Sequence, residues 1–226
     1  MSKPKPKALD LFCGAGGAAL GMIEAGYEVW GIDINPKHEN IYPGHFTCGD
    51  ALQPDFDLAE FHFIWASPPC QAYSIARRMQ PKTKKEFPNL IEPTRELLDG
   101  NRFTCIENVP GAPLHTNLIL TAPMFGLDRI YRKRHFELSF DLLWRIEQPE
   151  IKKMKPGTLK SGRGIVVTKS LSCSDHFYPR KAIGLPGTVP PKEACEAMGI
   201  NLPMKRAQVG EAIPPAFSKY ISEAAL

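Results

Sequence analysis

Residues 67–74 read Ser-Pro-Pro-Cys-Gln-Ala-Tyr-Ser and follow directly on the apolar run Phe61–Trp65. Pro68 and Pro69 fix φ and remove two backbone donors, so this turn has few alternative conformations. Open parallel sheets bind ligands at the carboxyl ends of their strands, and a thiol held there can act as a nucleophile. A free cysteine is as often a small buried apolar residue, so Cys70 by itself leaves both roles open. Glu107 closes another apolar run before Asn108-Val109-Pro110. It can donate a proton or be a plain surface carboxylate. Arg132 and Arg134 can stabilise developing negative charge or be exposed ion-pair partners of little energetic consequence.

A second group of residues has the chemistry of a nucleoside site. The segment Asp10-Leu-Phe-Cys-Gly-Ala-Gly-Gly17 follows a strand and opens a helix. Gly14, Gly16 and Gly17 are expected to let a ligand approach the backbone, and the helix start offers free N–H groups. A glycine-rich turn of this kind is also simply a tight βα connection. Asp33 ends the next strand about twenty residues on, where a carboxylate can accept from ribose hydroxyls. Asp50, after a short third strand, can accept from an adenine amine. There is no G-x-G-x-x-G and no Walker lysine, so a phosphate-free adenosyl ligand fits better than NAD or ATP.

These residues need a scaffold, and the pattern from Ala8 to Phe140 alternates strand and helix. Strands are expected at Ala8–Phe12, Glu28–Ile34, His45–Cys48, Phe61–Trp65 and Arg102–Ile106, with an antiparallel sixth within Tyr131–Phe140. Helices are expected at Ala18–Ala25 and Thr94–Leu98, ending at Gly26 and Asp99-Gly100. This reads as a doubly wound α/β sheet. Residues 145–205 carry many Lys, Pro and Gly and no βαβ period, and read as a small irregular insert. Its lysines, Lys169 among them, serve solubility or contact phosphates. Residues 206–226 return to helix-like sequence around Pro214-Pro215.

The chain has 226 residues, 43% hydrophobic, enough for one large domain or one with a small appendage. Its net charge of +4 and pI near 8.7 permit a polyanionic partner without requiring one. The six cysteines lie at 13, 48, 70, 105, 173 and 195 with no C-x-x-C pair, so neither a metal site nor a disulfide framework is expected. A reducing cytoplasm is the expected compartment. No signal peptide or membrane-spanning run is read in the sequence.

Taken together and in order, these segments resemble the DNA (cytosine-5) methyltransferase family. Asp10–Gly17 is similar to its first motif, Pro69-Cys70-Gln71 to its catalytic loop and Glu107-Asn108-Val109 to its acid motif. Arg132-Lys133-Arg134 is similar to its arginine motif and Gly210-Glu-Ala-Ile-Pro-Pro215 to its C-terminal motif. The resemblance covers residues 8–140 and 206–222 and is similar in arrangement to short phage-encoded members. It departs at Ile130, where the family usually has glutamine, and at Glu211, where it usually has asparagine.

The resemblance implies a Rossmann-like S-adenosylmethionine-dependent methyltransferase sheet over residues 1–144. It implies a small target-recognition region over 145–205 and a C-terminal segment, 206–226, folding back on the catalytic part. It implies a flipped cytosine in DNA as acceptor and a monomer. Cys70 would attack C6, as a thiolate favoured by an electropositive, helix-terminal setting. Glu107 would protonate N3, Arg134 would bind O2, and Arg132 would support the thiolate or the glutamate. Phe12, Gly14, Gly16, Gly17, Asp33, Ile34, Asp50, Pro69, Glu211 and Ala212 would hold the cofactor. Gln71, Tyr73, Ser74, Arg77, Arg78 and Lys169 would contact DNA. A fold-retaining DNA-binding relic, or methylation of RNA or another cytosine-containing acceptor, are the competing readings.

Overall fold

The computed structural model describes residues 4–73, 87–127, 129–130, 132–142 and 189–226. Ser74, Arg77, Arg78, Lys169 and most of the 145–205 stretch lie outside the described residues.

Seven described strands form one sheet: β1 (Lys7–Leu11), β2 (Glu28–Asp33), β3 (His45–Cys48), β4 (Phe63–Ala66), β5 (Thr104–Asn108), β6 (Leu118–Thr121) and β7 (Lys133–Leu138). Their order is β3-β2-β1-β4-β5-β7-β6. The first five run parallel, and β7 lies antiparallel between β5 and β6. The order of strand addition reverses at β1: β2 and β3 extend to one side, β4 and β5 to the other. A crevice opens at such a point beyond the carboxyl ends of the strands, and Asp10, Asp33, the Cys70 turn and Glu107 all lie at those ends.

The strands separate two apolar layers by their alternation. Ala8, Phe63 and Trp65 face one cluster, which takes in Met22, Phe136, Phe217 and Ile221. Leu9, Leu11, Ile64 and Ala66 face the other, with Ile32, Leu98 and Ile106. Strands buried on both faces read as continuous apolar runs, which is why β1 and β4 are visible in the sequence.

Five described helices cover the sheet: α1 (Gly17–Glu24), α2 (Ile91–Leu98), α3 (Pro191–Met198), α4 (Arg206–Glu211) and α5 (Pro215–Glu223). Helix α5 packs tightly on α1. A Cβ on Gly21 would lie 2.0 Å from the Pro215 carbonyl oxygen and 2.2 Å from Ser218 Oγ. Ser218 Oγ donates to the Ala18 carbonyl at 2.7 Å, and the Tyr27 hydroxyl donates to the Ser222 carbonyl at 3.0 Å. Helix α5 thus lies along α1, and the residues at and just after its end reach Tyr27 and His62 at the amino ends of β2 and β4.

The structure moves several expected boundaries. Helix α2 begins at Ile91, so Pro93 sits in its first turn, where a missing N–H costs no intrahelical bond. Strand β5 starts and ends two residues later than expected, which puts Glu107 inside the strand. Strand β6 and helix α3 are elements that the sequence pattern does not announce. No helix among the described residues is long and apolar enough to cross a membrane.

Candidate active site

Cys70 opens a single 3₁₀ turn, Cys70–Ala72, directly after the extended Pro69. Two neighbours hold the loop. Buried Asn108 donates from Nδ2 to the Pro68 carbonyl at 2.8 Å, and Trp65 Nε1 donates to Ser67 Oγ at 2.8 Å. Asn108 then accepts the Val109 N–H on its own Oδ1 at 2.9 Å. The residue next to Glu107 in the strand therefore fixes the turn that carries the thiol.

The turn faces a cavity of about 360 Å³, within the range of small-molecule sites. Cys70, Gln71, Glu107 and Arg134 form one part of its wall. Glu107 and Arg134 are both buried, with Arg134 Nε 2.7 Å from Glu107 Oε1. The arginine comes from β7, which pairs with β5 so that residues 107 and 136 are opposite. The antiparallel strand is thus what delivers the cation to the acid.

The electrostatics of this wall run against one expectation. Burial pushes the Cys70 thiol up; Arg134 pulls it down, Glu107 pushes it up, Arg132 pulls it down, Glu211 pushes it up, and the net direction is upward. A three-residue 3₁₀ turn also supplies little dipole. The free site therefore holds a protonated thiol and not a standing thiolate. Burial likewise pushes the Glu107 carboxyl up, against the lowering pull of Arg134, Arg132 and a hydrogen bond from Ser67. A carboxyl that keeps its proton more readily is suited to donating it.

Arg132 acts on Cys70 and Glu107 through its charge and makes its hydrogen bonds elsewhere. Its Nη1 donates to the Gly210 carbonyl at 2.9 Å and its Nη2 to the Ala212 carbonyl. It does not hydrogen-bond Cys70 or Glu107, and it ties the segment after α4 to the sheet. Burial, then the like charge of Arg134, push this guanidinium down, opposed by Glu107.

The other end of the cavity lies at β1 and β2. Asp33 accepts the Gly14 N–H on Oδ2 and the Asn35 N–H on Oδ1, both at 2.9 Å. One carboxylate thereby anchors the glycine turn to the end of β2. Ile34 beside it is 78% exposed, and Phe12 sits opposite on the cavity wall with φ +57°. A bulky residue in left-handed backbone is costly and persists where the surroundings impose it. Asp50 lines the cavity and accepts the Leu52 N–H at 2.9 Å.

Of the three glycines expected to admit a ligand, Gly14 lines the cavity, with no atom near a built Cβ. Gly16 does not reach it. A Cβ there would lie 2.3 Å from Pro43, and Gly16 caps α1 at φ +87°. Gly17 lines the cavity, yet its missing side chain makes room for the Ile213 carbonyl at 2.6 Å. Close chain-to-chain packing explains these two.

Pro69, Glu211 and Ala212 are cavity-wall residues, as is His38, whose ring nitrogens lie 3.1 Å from Asn35 Nδ2 and 3.3 Å from Gln208 Nε2. His38 had no signal in the sequence beyond its nearness to Asp33. Asp10, read only as the start of a motif, is 1% exposed on the cavity wall. It accepts from the Tyr42 hydroxyl at 3.1 Å on Oδ2, while Oδ1 has no partner among the described residues. Burial pushes its carboxyl up to about 8. Gln71 Oε1 is likewise buried without a partner, and the Tyr73 hydroxyl donates to Asn89 Oδ1. No group of three His, Cys, Asp or Glu that could hold a metal ion occurs among the described residues.

Comparison with known proteins agrees with this geometry. The chain is 27% identical over 122 residues to Type II methyltransferase M1.HphI of Haemophilus parahaemolyticus, covering 45% of this chain and 32% of that protein. It is 34% identical over 80 residues to Type II methyltransferase M.HgiDI of Herpetosiphon aurantiacus, covering 31% and 26%. The matched region thus spans about a third or less of these relatives' length. The solved structure of the Entamoeba histolytica methyltransferase EhMeth superposes with a TM-score of 0.59 at 14% identity, over 99% of this chain and 98% of that one. This likeness shows a Rossmann-like methyltransferase fold. The family model for C-5 cytosine-specific DNA methylase matches residues 7–122, just over half of the chain. The protein belongs to the C-5 cytosine-specific DNA methylase family.

Proposed function

We propose that the chain is a DNA (cytosine-5) methyltransferase in which Cys70 adds to C6 of a cytosine extruded from DNA. The observation that carries this reading is the meeting of Cys70, Glu107 and Arg134, from three separate elements, on one cavity wall in a member of this family.

S-adenosylmethionine is the cofactor of the family, and the cavity has what that group needs. Phe12 and exposed Ile34 offer apolar surface to a flat base, and Asp33 and Asp50 offer acceptors for ribose and adenine. The unpartnered Asp10 Oδ1 offers an acceptor to a donor group. Gly14, Pro69, Ala212 and Glu211 complete the lining. When bound, the cofactor supplies an electrophilic methyl group.

The protein's part begins with a base that cannot be reached inside a duplex and must be extruded. Cys70 loses its proton to solvent and the thiolate electron pair forms the C6–S bond. The C5=C6 pair moves into the ring, Glu107 delivers a proton to N3, and Arg134 stabilises the charge at O2. C5 now carries an electron pair able to take the methyl group. Once C5 bears the methyl group, N3 returns its proton to Glu107; solvent removes the C5 proton, the C5–H electron pair forms C5=C6, and Cys70 departs as thiolate. Arg132 contributes as a positioning residue by holding the Gly210–Ala212 backbone. Gln71 and Tyr73 on the Cys70 loop contact the DNA, and the 145–205 stretch supplies recognition of the target.

The reading is tested by incubating the protein with duplex DNA and methyl-labelled S-adenosylmethionine and separating the nucleosides. Label in 5-methyl-deoxycytidine supports it. Label appearing only when RNA replaces DNA, or in no nucleoside, overturns it.

A further inference from the structure

Five carboxyl groups line the cavity: Asp10, Asp33, Asp50, Glu107 and Glu211. Three are compensated: Asp33 by two backbone N–H groups, Asp50 by the Leu52 N–H, and Glu107 by Arg134. Asp10, 1% exposed on the cavity wall, has one oxygen satisfied by Tyr42 and one left over. Glu211 has no hydrogen bond and no ion pair among the described residues, only the through-space charge of His38 and Arg132. The only Arg or Lys on the described wall is Arg134, already engaged with Glu107. The orphaned Asp10 oxygen can take a hydrogen-bonding group, and the free Glu211 carboxylate on the same wall can meet a positive charge.

The position of Glu211 narrows which part of the ligand that is. It ends α4, and Arg132 holds the carbonyls on either side of it, those of Gly210 and Ala212. Its charge is felt at Asp33 and His38, at the end of β2, and also at Cys70 in the β4 turn. Glu211 thus shares one cavity wall with Asp33 and His38 and with Cys70. Resting on the methyltransferase reading above, we infer that Glu211 is the counter-charge for the cationic sulfur of the methyl donor. It makes the cavity prefer the charged donor over the neutral thioether product.

The chemistry gives this a purpose. Methyl transfer turns a sulfonium into an uncharged thioether, so the attraction to Glu211 exists before the reaction and is gone after it. A site of this kind binds its donor and weakens its hold on its spent product without moving any element. A methylsulfonium has no N–H or O–H, so its pairing with Glu211 is a through-space attraction, stronger where water is partly excluded.

The test is calorimetric titration of the whole purified chain with three ligands. These are S-adenosylmethionine, S-adenosylhomocysteine and sinefungin, which carries an ammonium where the donor has its methylsulfonium. Glu211→Gln is expected to weaken both cationic ligands by about tenfold and the neutral one by less than about twofold. Glu211→Asp, which keeps the charge, is expected to keep the preference. Equal losses for all three ligands, or no loss for any, overturn the inference. Failure of the wild type to bind any of the three overturns the donor reading itself, and this inference with it.

Discussion

Glu107 and Cys70 share a wall, and the acid proposed to protonate N3 also raises the thiol. The two effects separate in one variant. Glu107→Gln keeps the shape and removes the titratable carboxyl, and with it both its capacity to donate a proton and its capacity to carry charge. Turnover is expected to fall by roughly a hundredfold or more, while iodoacetamide labels Cys70 faster than in the wild type at neutral pH, as read by peptide mass mapping. Slower or equal labelling would contradict the electrostatic account of this wall. Asp10 makes a second residue-scale prediction. Folded, it keeps its proton up to about 8; unfolded, it gives the proton up near 3.8. Between those values the native state binds the extra proton, so a rise in pH favours the unfolded chain, by at most about 1.4 kcal/mol per pH unit. Asp10→Asn has no proton to lose and still offers Tyr42 an acceptor. Urea denaturation should show the variant gaining on the wild type between about pH 5 and about pH 7.5. A gap independent of pH would contradict the buried, protonated carboxyl.

At the scale of elements, the site depends on helices brought in from the far end of the chain. Helix α5 lies so close on α1 that Gly21 cannot carry a side chain without moving Pro215 or Ser218. Gly21→Ala should destabilise the protein by about 1–3 kcal/mol through overpacking, seen as a lower thermal midpoint by circular dichroism. An unchanged midpoint would contradict the contact. Strands β1, β4 and β5 were legible because parallel strands buried on both faces read as apolar runs. Strand β6 was not: Leu118–Thr121 is four residues long and its neighbours are Asn117 and the Ala122-Pro123 break. Helix α3 hides in Pro- and Lys-rich surroundings because its buried face is built from small residues, Ala194, Cys195 and Ala197, with Met198. Cys70, Glu107 and Arg134 were legible as residue types at motif spacing. What sequence alone does not carry is the direction of packing. Gly16 and Gly17 look like ligand-contact glycines, and only the fold shows Pro43 and Ile213 filling the space. Arg132 lies just before β7 and Arg134 within it, and they reach different partners, one the C-terminal segment and one Glu107.

Over the whole molecule, a basic chain of net charge +4 encloses a cavity dominated by acids. The sign difference suits two ligands at once: a polyanion on the surface and a cationic donor within. The crevice between β1 and β4 brings them together, with the glycine turn and Asp33 on one side and the Cys70 loop, Glu107 and Arg134 on the other. The central claim is that Cys70 bonds to the ring of a cytosine in DNA while the donor occupies the rest of the cavity. Trapping on duplex DNA containing 5-fluorocytosine, in the presence of S-adenosylmethionine, tests it most directly, because fluorine at C5 cannot leave as a proton and the adduct persists. The account predicts a denaturation-resistant protein–DNA complex for the wild type, with the crosslink mapping to the peptide holding Cys70, and none for Cys70→Ser. A complex that survives in Cys70→Ser, or that maps to another residue, would contradict it.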